Sequence, residues 1–252
     1  MSFFKWNSTK SFFSCLTALV VAPASVPAVQ AQNEAVNGPI VVELFMSQSC
    51  GRCIPATEHL MKLAANEDII ALSWHVDYWN DMKTRNGQWV DPFSNAAFTQ
   101  RQRHYNEHIR HKKSVYTPQM IIGGVSEAPG AKTKKVAKLI DEVRTENKVA
   151  TIETYRSASE IIFDIKESER AGDAYLVKFL PYIQTNIDNG ENSGRILHEI
   201  NVITDVELIG VVPMSGTQMS ASIPDGDTNC ALIVQEPDQG SIIAATYCPG
   251  TT

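Results

Sequence analysis

The sequence is poor in cysteine, five in 252 residues, and has no run of lysine and arginine, no internal repeat and no low-complexity tract. With 43 % hydrophobic and 20 % charged residues it reads as an ordinary globular chain, which excludes disorder, collagen and coiled coil. The net charge of −6 without clustered positive charge argues against nucleic acid as a partner, because counterion release needs a basic patch. At roughly 150 residues per domain, the length allows one large domain or two modest ones.

What is present at the start is a pattern of export. Lys5 and Lys10 precede the apolar stretch FFSCLTALVVAPA, and VPAVQA follows with Val29 and Ala31 at the positions a signal peptidase reads. Residues 1–31 are therefore expected to be a signal peptide cleaved near Ala31. The run is shorter than the roughly 18–20 residues a bilayer needs, and Pro23 and Pro27 interrupt it. No later segment is apolar enough to span, so the processed product is expected in the periplasm or outside the cell, with no membrane span. There Cys50, Cys53, Cys230 and Cys248 can form lasting disulfides, and proximity favours Cys50 with Cys53 and Cys230 with Cys248.

In the mature chain, PIVVELFM (39–46) is a β-branched apolar run suited to a strand covered on both faces. From Cys50 to about Ala65 the apolar positions fall at helical intervals, and DIIALSWHV (68–76) gives a second strand. Strand, helix and strand make a βαβ unit with CxxC at the carboxyl end of its first strand, where open α/β sheets bind ligands. Residues 77–113 read as an inserted excursion ending in an exposed helix. SVYTPQMIIGGVSEA (114–128) offers two strands about a Gly123-Gly124 turn, and residues 131–148 an amphipathic helix. Beyond about 149 the texture changes to short alternating runs separated by DNGENSG, IPDGDTN and EPDQG, which suggests an antiparallel sandwich or small barrel.

The chemistry centres on CxxC. A thiol at a strand-to-helix junction meets unpaired amides and the positive end of the helix, which stabilise thiolate, so Cys50 is the nucleophile by position. Arg52 adds positive charge, and Cys53, inside the helix, is placed to resolve a mixed disulfide. The reading requires the Cys50 sulfur to be reachable. Thr117-Pro118 is the second element, since a proline opening a strand that faces CxxC is commonly cis in redox folds and leaves the preceding backbone open to a substrate peptide. His75 and Asp77 end the second strand and are candidates to orient a thiol or bind substrate; Trp79, beside Tyr78, offers an apolar rim for a client. HYNEH (104–108) matches a metallopeptidase string, but no second acidic ligand follows on a helix, so exposed helix polarity accounts for it better. A turn near Gly240 makes Cys230 and Cys248 approximate cross-strand partners in a structural disulfide.

Taken together, VVELFMSQSCGRC, ALSWHVDYW, DPFSNAAFTQRQ, SVYTPQM and NGENSGRILHEINV resemble the exported thioredoxin-like domain-of-unknown-function family numbered 1223, over about residues 39–247. The resemblance implies a thioredoxin-like α/β domain (37–149, with the helical insertion at 77–113) followed by an antiparallel all-β, sandwich-like domain (150–252). Glu43 occupies a place much like the buried acid of thioredoxin's V-D-F segment, one residue further from the first cysteine, and is a candidate proton relay for Cys53. The expected activity is thiol–disulfide exchange on protein thiols or disulfides, with an unidentified redox partner and no organic cofactor. Two alternatives are a Cu(I) carrier using Cys50, Cys53 and His75, and a non-catalytic interaction module.

Overall fold

The computed structural model describes residues 1–3, 38–146 and 150–250, so the export signal read over residues 1–31 lies, beyond its third residue, outside the described residues. The first half contains β1 (Ile40–Met46), α1 (Ile54–Ala64), β2 (Ile69–His75), the two-residue strands β3 (Lys83–Thr84) and β4 (Gly87–Gln88), α2 (Ala96–Arg110), β5 (Gln119–Ile122), β6 (Ser126–Pro129) and α3 (Thr133–Glu146). The second half contains β7 (Ile152–Arg156), β8 (Glu160–Ile165), β9 (Gly172–Asn186), β10 (Ile196–Val212), β11 (Thr217–Ser222), β12 (Asn229–Gln235) and β13 (Ile242–Tyr247). Among the described residues no helix is long and apolar enough to cross a membrane.

Eight strands form one sheet in the order β13-β12-β9-β10-β2-β1-β5-β6. Every residue of β1 and β2 is buried, as expected of parallel strands covered on both faces. They pair in parallel from Ile40 opposite Ile69 to Met46 opposite His75, and β5 lies antiparallel on the other side of β1. Alternation along β1 fixes the two faces. Ile40, Val42, Leu44 and Met46 pack with the cysteines, α1 and α3. Val41 and Phe45 point the other way, toward Phe98 and Tyr105 of α2.

The sheet crosses the boundary expected near residue 149. β9, β10, β12 and β13 extend the sheet that β1, β2, β5 and β6 begin, and the described residues from 38 onward form one compact unit. The reason lies at β2, whose outer edge would otherwise expose unpaired amides and carbonyls; β10 covers it in parallel, Val202 opposite Ser73. The sandwich survives only locally, where the separate sheet β11-β8-β7 packs Ile161, Phe163 and Ile165 onto Leu176, Leu232 and Ile243. The result is a mixed α/β protein with a large central sheet and few helices.

Cys230 and Cys248 form a disulfide inside this last cluster, next to a Cys248 N–H to Cys230 carbonyl hydrogen bond of 2.8 Å. Its loop of 18 residues restricts the unfolded chain by about 3 kcal/mol. Replacing both cysteines with alanine is expected to lower the unfolding free energy in urea by about that amount; a loss below about 1 kcal/mol would mean that the loop is already constrained when unfolded.

Candidate functional site

β1 ends at Met46 and the chain turns through Ser47, Gln48 and Ser49 into Cys50, whose N–H reaches the Ser47 carbonyl at 3.0 Å. Gly51–Cys53 form a single 3-10 turn that leads into α1, with Pro55 in the first turn where its missing N–H costs nothing. Cys50 and Cys53 are joined in a disulfide, Cα to Cα 5.4 Å. Cys50 is extended (φ −99°, ψ 104°) and its side chain caps nothing, so the first free amide of the turn is that of Gly51. Glu191, from the connection between β9 and β10, accepts from it at 2.9 Å, and a Cβ on residue 51 would come within 3.1 Å of the Glu191 carboxyl carbon.

That connection changes the accessibility of the site. Both cysteines are only 1 % exposed, so the expectation of an open Cys50 is not met. Asn192 donates to the Gln48 carbonyl at 2.8 Å, and the Gly190 N–H donates to the Asn86 carbonyl at 3.1 Å. Gly190 (φ +81°) lies so close to Trp89 that a Cβ there would meet it at 2.9 Å. Residues 187–195 thus fold over the CxxC turn. Between them and α1 remains a cavity of about 260 Å³, whose walls include the two cysteines, Met46, Met61, Leu197 and Glu199.

On the other side of Cys50 lies the cis Thr117-Pro118 peptide. The Trp79 indole N–H donates to Thr117 Oγ1 at 2.8 Å, which leaves the Thr117 hydroxyl to donate to Cys50 Sγ at 3.3 Å. This short chain aims a proton at the first sulfur.

Beneath the turn is a buried polar network. Gln48 donates through its side chain to Glu199 Oε2 at 2.7 Å and to Thr185 at 3.0 Å, and through its backbone to Asp91 at 2.7 Å. Asp91 also holds His75 Nδ1 at 2.9 Å, while His75 Nε2 lies 3.7 Å from Glu199 Oε1. Burial disfavours the charged His75 ring, but Asp91 and Glu199 outweigh it and hold its pKa above the ordinary value. Burial likewise opposes the Asp91 charge, yet His75 and two backbone amides keep Asp91 below the usual carboxylate range. Glu199 moves up, because burial exceeds the help from His75 and Gln48.

Of the residues singled out from the sequence, Cys50, Cys53, Thr117, Pro118 and Trp79 come together. Glu43 does not. It lies on the opposite face of β1, bound to Arg101 at 2.8 Å and the Tyr105 hydroxyl at 2.6 Å, so the sheet separates it from Cys53 and it is no proton relay. Asp77 accepts from Thr99 at 2.6 Å and anchors the start of α2. His75 shares the cysteine face but is committed to Asp91, and among the described residues no three His, Cys, Asp or Glu side chains gather as a metal site, so the Cu(I) set of Cys50, Cys53 and His75 is not assembled. The helix read as exposed, α2, buries Phe98, Gln102, Tyr105 and Asn106. His104 and His108 do stack on it, centroids 4.2 Å apart, without a third ligand. Sequence reasoning missed Gln48, Asp91, Glu191, Asn192 and Glu199. The one available signal was Glu199 itself, an acid at an inward position of the strand ILHEINV.

A crystal structure of protein AGR_C_4864 from Agrobacterium tumefaciens is 25 % identical and superposes with a TM-score of 0.71, covering 84 % of this chain and 94 % of that one. HBP35 of Porphyromonas gingivalis shares 14 % identity with a TM-score of 0.52, over 84 % and 74 % of the two chains, a likeness of fold alone. No curated protein matches the chain. A family model described as a protein of unknown function, DUF1223, matches residues 41–235. That match runs from β1 to the end of β12 and takes in both the CxxC turn and the connection that covers it, and on this ground the chain belongs to the DUF1223 family of proteins of unknown function.

Proposed function

We propose that the protein is an exported thiol–disulfide oxidoreductase of thioredoxin-like architecture that exchanges disulfides with protein clients through Cys50 and Cys53. The observation that carries this reading is the hydroxyl of Thr117, next to the cis Pro118, 3.3 Å from Cys50 Sγ at the start of a helix. A thiolate at that sulfur is stabilised by the Thr117 O–H and, once Glu191 releases it, by the Gly51 amide at the helix start. In the oxidising direction for the enzyme, Cys50 thiolate attacks a client disulfide, an S–S bond forms to Cys50, and one client sulfur leaves as thiolate. Cys53 thiolate then attacks Cys50, re-forming the enzyme disulfide and releasing the second client thiolate. Thr117 and Pro118 hold the client backbone, and Trp79 lines its path.

Because residues 187–195 cover the disulfide, a protein client reaches Cys50 only when Glu191 and Asn192 let go, whereas a small thiol enters through the cavity. Glu191→Gln with Asn192→Ala is therefore expected to speed reduction by a protein dithiol several-fold and to change reduction by dithiothreitol little; equal effects on both would remove the cover from the account.

The decisive experiment is trapping in the cell envelope. Cys53→Ala is expected to accumulate mixed disulfides on Cys50, and Cys50→Ser with Cys53→Ala none. An empty trap, together with a wild-type disulfide that fails to exchange with glutathione, would favour a purely structural CxxC.

A further inference from the structure

The walls of the cavity beside the disulfide include one buried carboxyl group, that of Glu199, to which the exchange reaction above gives no part. We infer that Glu199 is the proton-transfer partner of the Cys50–Cys53 pair, a positioning and relay residue that rests on the thiol-exchange reading. Three observations carry it. Glu199 lines the same cavity as both cysteines. Its side chain is 1 % exposed, and while Oε2 is fixed by Gln48, Oε1 has no hydrogen-bond partner. His75 Nε2, 3.7 Å from Oε1, is also buried without a hydrogen-bond partner.

A buried carboxyl with a free oxygen costs stability unless something uses it. Here both protonation states have support. Burial favours the neutral acid, and the His75 ring, whose charged form Asp91 favours, supports the anion. Such a group changes state with little reorganisation, which is what a relay needs. The cavity, at about 260 Å³, has room for water between the carboxyl and the sulfurs.

When an incoming thiolate attacks Cys50, an S–S bond forms to Cys50, the Cys50–Cys53 bond breaks, and its electron pair stays on Cys53. Neutral Glu199 gives its proton to the Cys53 thiolate and becomes carboxylate. In reverse, the carboxylate takes the Cys53 thiol proton, Cys53 attacks Cys50, and the client departs as thiolate with the electron pair of the mixed disulfide.

The other titratable groups lining the cavity are Glu58 on α1, which is exposed, and His198 on β10, hydrogen-bonded to Tyr182 at 2.6 Å; behind its walls lie Glu191, bound to the Gly51 amide, and the His75–Asp91 pair next to Glu199. Among these other groups, His75 alone has a buried polar atom without a hydrogen-bond partner, its Nε2, and that atom faces Glu199.

The test uses the full chain and two readouts, the pH profile of disulfide reduction by dithiothreitol and the pH titration of thiolate absorbance in the reduced protein. Glu199→Gln is expected to slow reduction on the order of 10²-fold below neutral pH, to flatten the pH profile and to shift the Cys53 titration. Glu199→Asp is expected to restore much of the rate with a displaced profile, and it serves alone if the glutamine variant does not fold. Glu43→Gln, on the far face of the sheet, is expected to leave both readouts at the wild-type values. Wild-type and Glu199-variant profiles that coincide would overturn the relay while leaving thiol exchange intact. A wild-type disulfide that does not exchange at any pH would overturn the exchange reading and the relay with it.

Discussion

Replacing Arg101 with methionine is expected to lower the unfolding free energy by about 3–5 kcal/mol without altering the thiol chemistry of Cys50. Glu43 is fully buried in the middle of β1, and its charge is balanced from α2, where Arg101 Nε donates to Oε1 at 2.8 Å. The same guanidinium donates to the Tyr105 hydroxyl at 2.8 Å and to Gln235 at 3.0 Å, and it lies over the Trp74 ring at 4.8 Å. Methionine would keep much of the packing and remove every charged donor, leaving Glu43 with the Tyr105 hydroxyl. A buried carboxylate without its counter-charge is the costly case, whereas removing both members is often tolerated. Glu43→Gln combined with Arg101→Met is therefore expected to be more stable than Arg101→Met alone. Urea unfolding of the two variants checks this. If the single variant lost less than about 1 kcal/mol, water would have to reach Glu43 from the α2 side.

The same pair shows where the sequence was legible and where it was not. β1, α1, β2 and the two strands about Gly123-Gly124 could be read because their apolar runs or helical spacing are strong and each pairs or packs with elements close in sequence. Glu43 could be seen to be unusual inside PIVVELFM, and counting by twos from Leu44 and Met46, the residues leading to the cysteines, puts it on the far face. What could not be read is the counter-charge, because α2 is polar along most of its length and buries Gln102 and Asn106 through side-chain hydrogen bonds to Gln119. Periodicity of apolar residues does not register a helix that docks this way. The cover over Cys50 was invisible for a different reason. DNGENSG reads as a surface turn, and only the parallel pairing of β10 with β2, a contact between residues 129 positions apart (Val202 and Ser73), brings Glu191, Asn192 and Glu199 to the CxxC turn. Local sequence carries no mark of that crossing.

His75→Gln is expected to cost about 3–5 kcal/mol near neutral pH and to remove the alkaline limb of the stability profile. In the folded protein Asp91 binds its proton more weakly than in the unfolded chain, so its contribution is present above the ordinary carboxylate range and fades as the pH falls through its depressed value. His75 binds its proton more tightly when folded, so its contribution is complete below its ordinary value of 6.5 and fades as the pH rises through the raised one. Between the two limits the pair is a charged imidazolium and carboxylate 2.9 Å apart, both buried. Glutamine at position 75 can donate to Asp91 but carries no charge, so Asp91 keeps the Gln48 and Phe93 amides and loses its counter-ion. The acid limb is then expected to move up toward the ordinary carboxylate range. Urea midpoints of wild type and variant at about pH 4, 6 and 9 separate these effects. A variant whose deficit is the same at all three values would mean that the His75 ring is neutral in the folded protein. The positive charge beside Glu199 would then be absent, and the relay would have to work from the neutral acid alone.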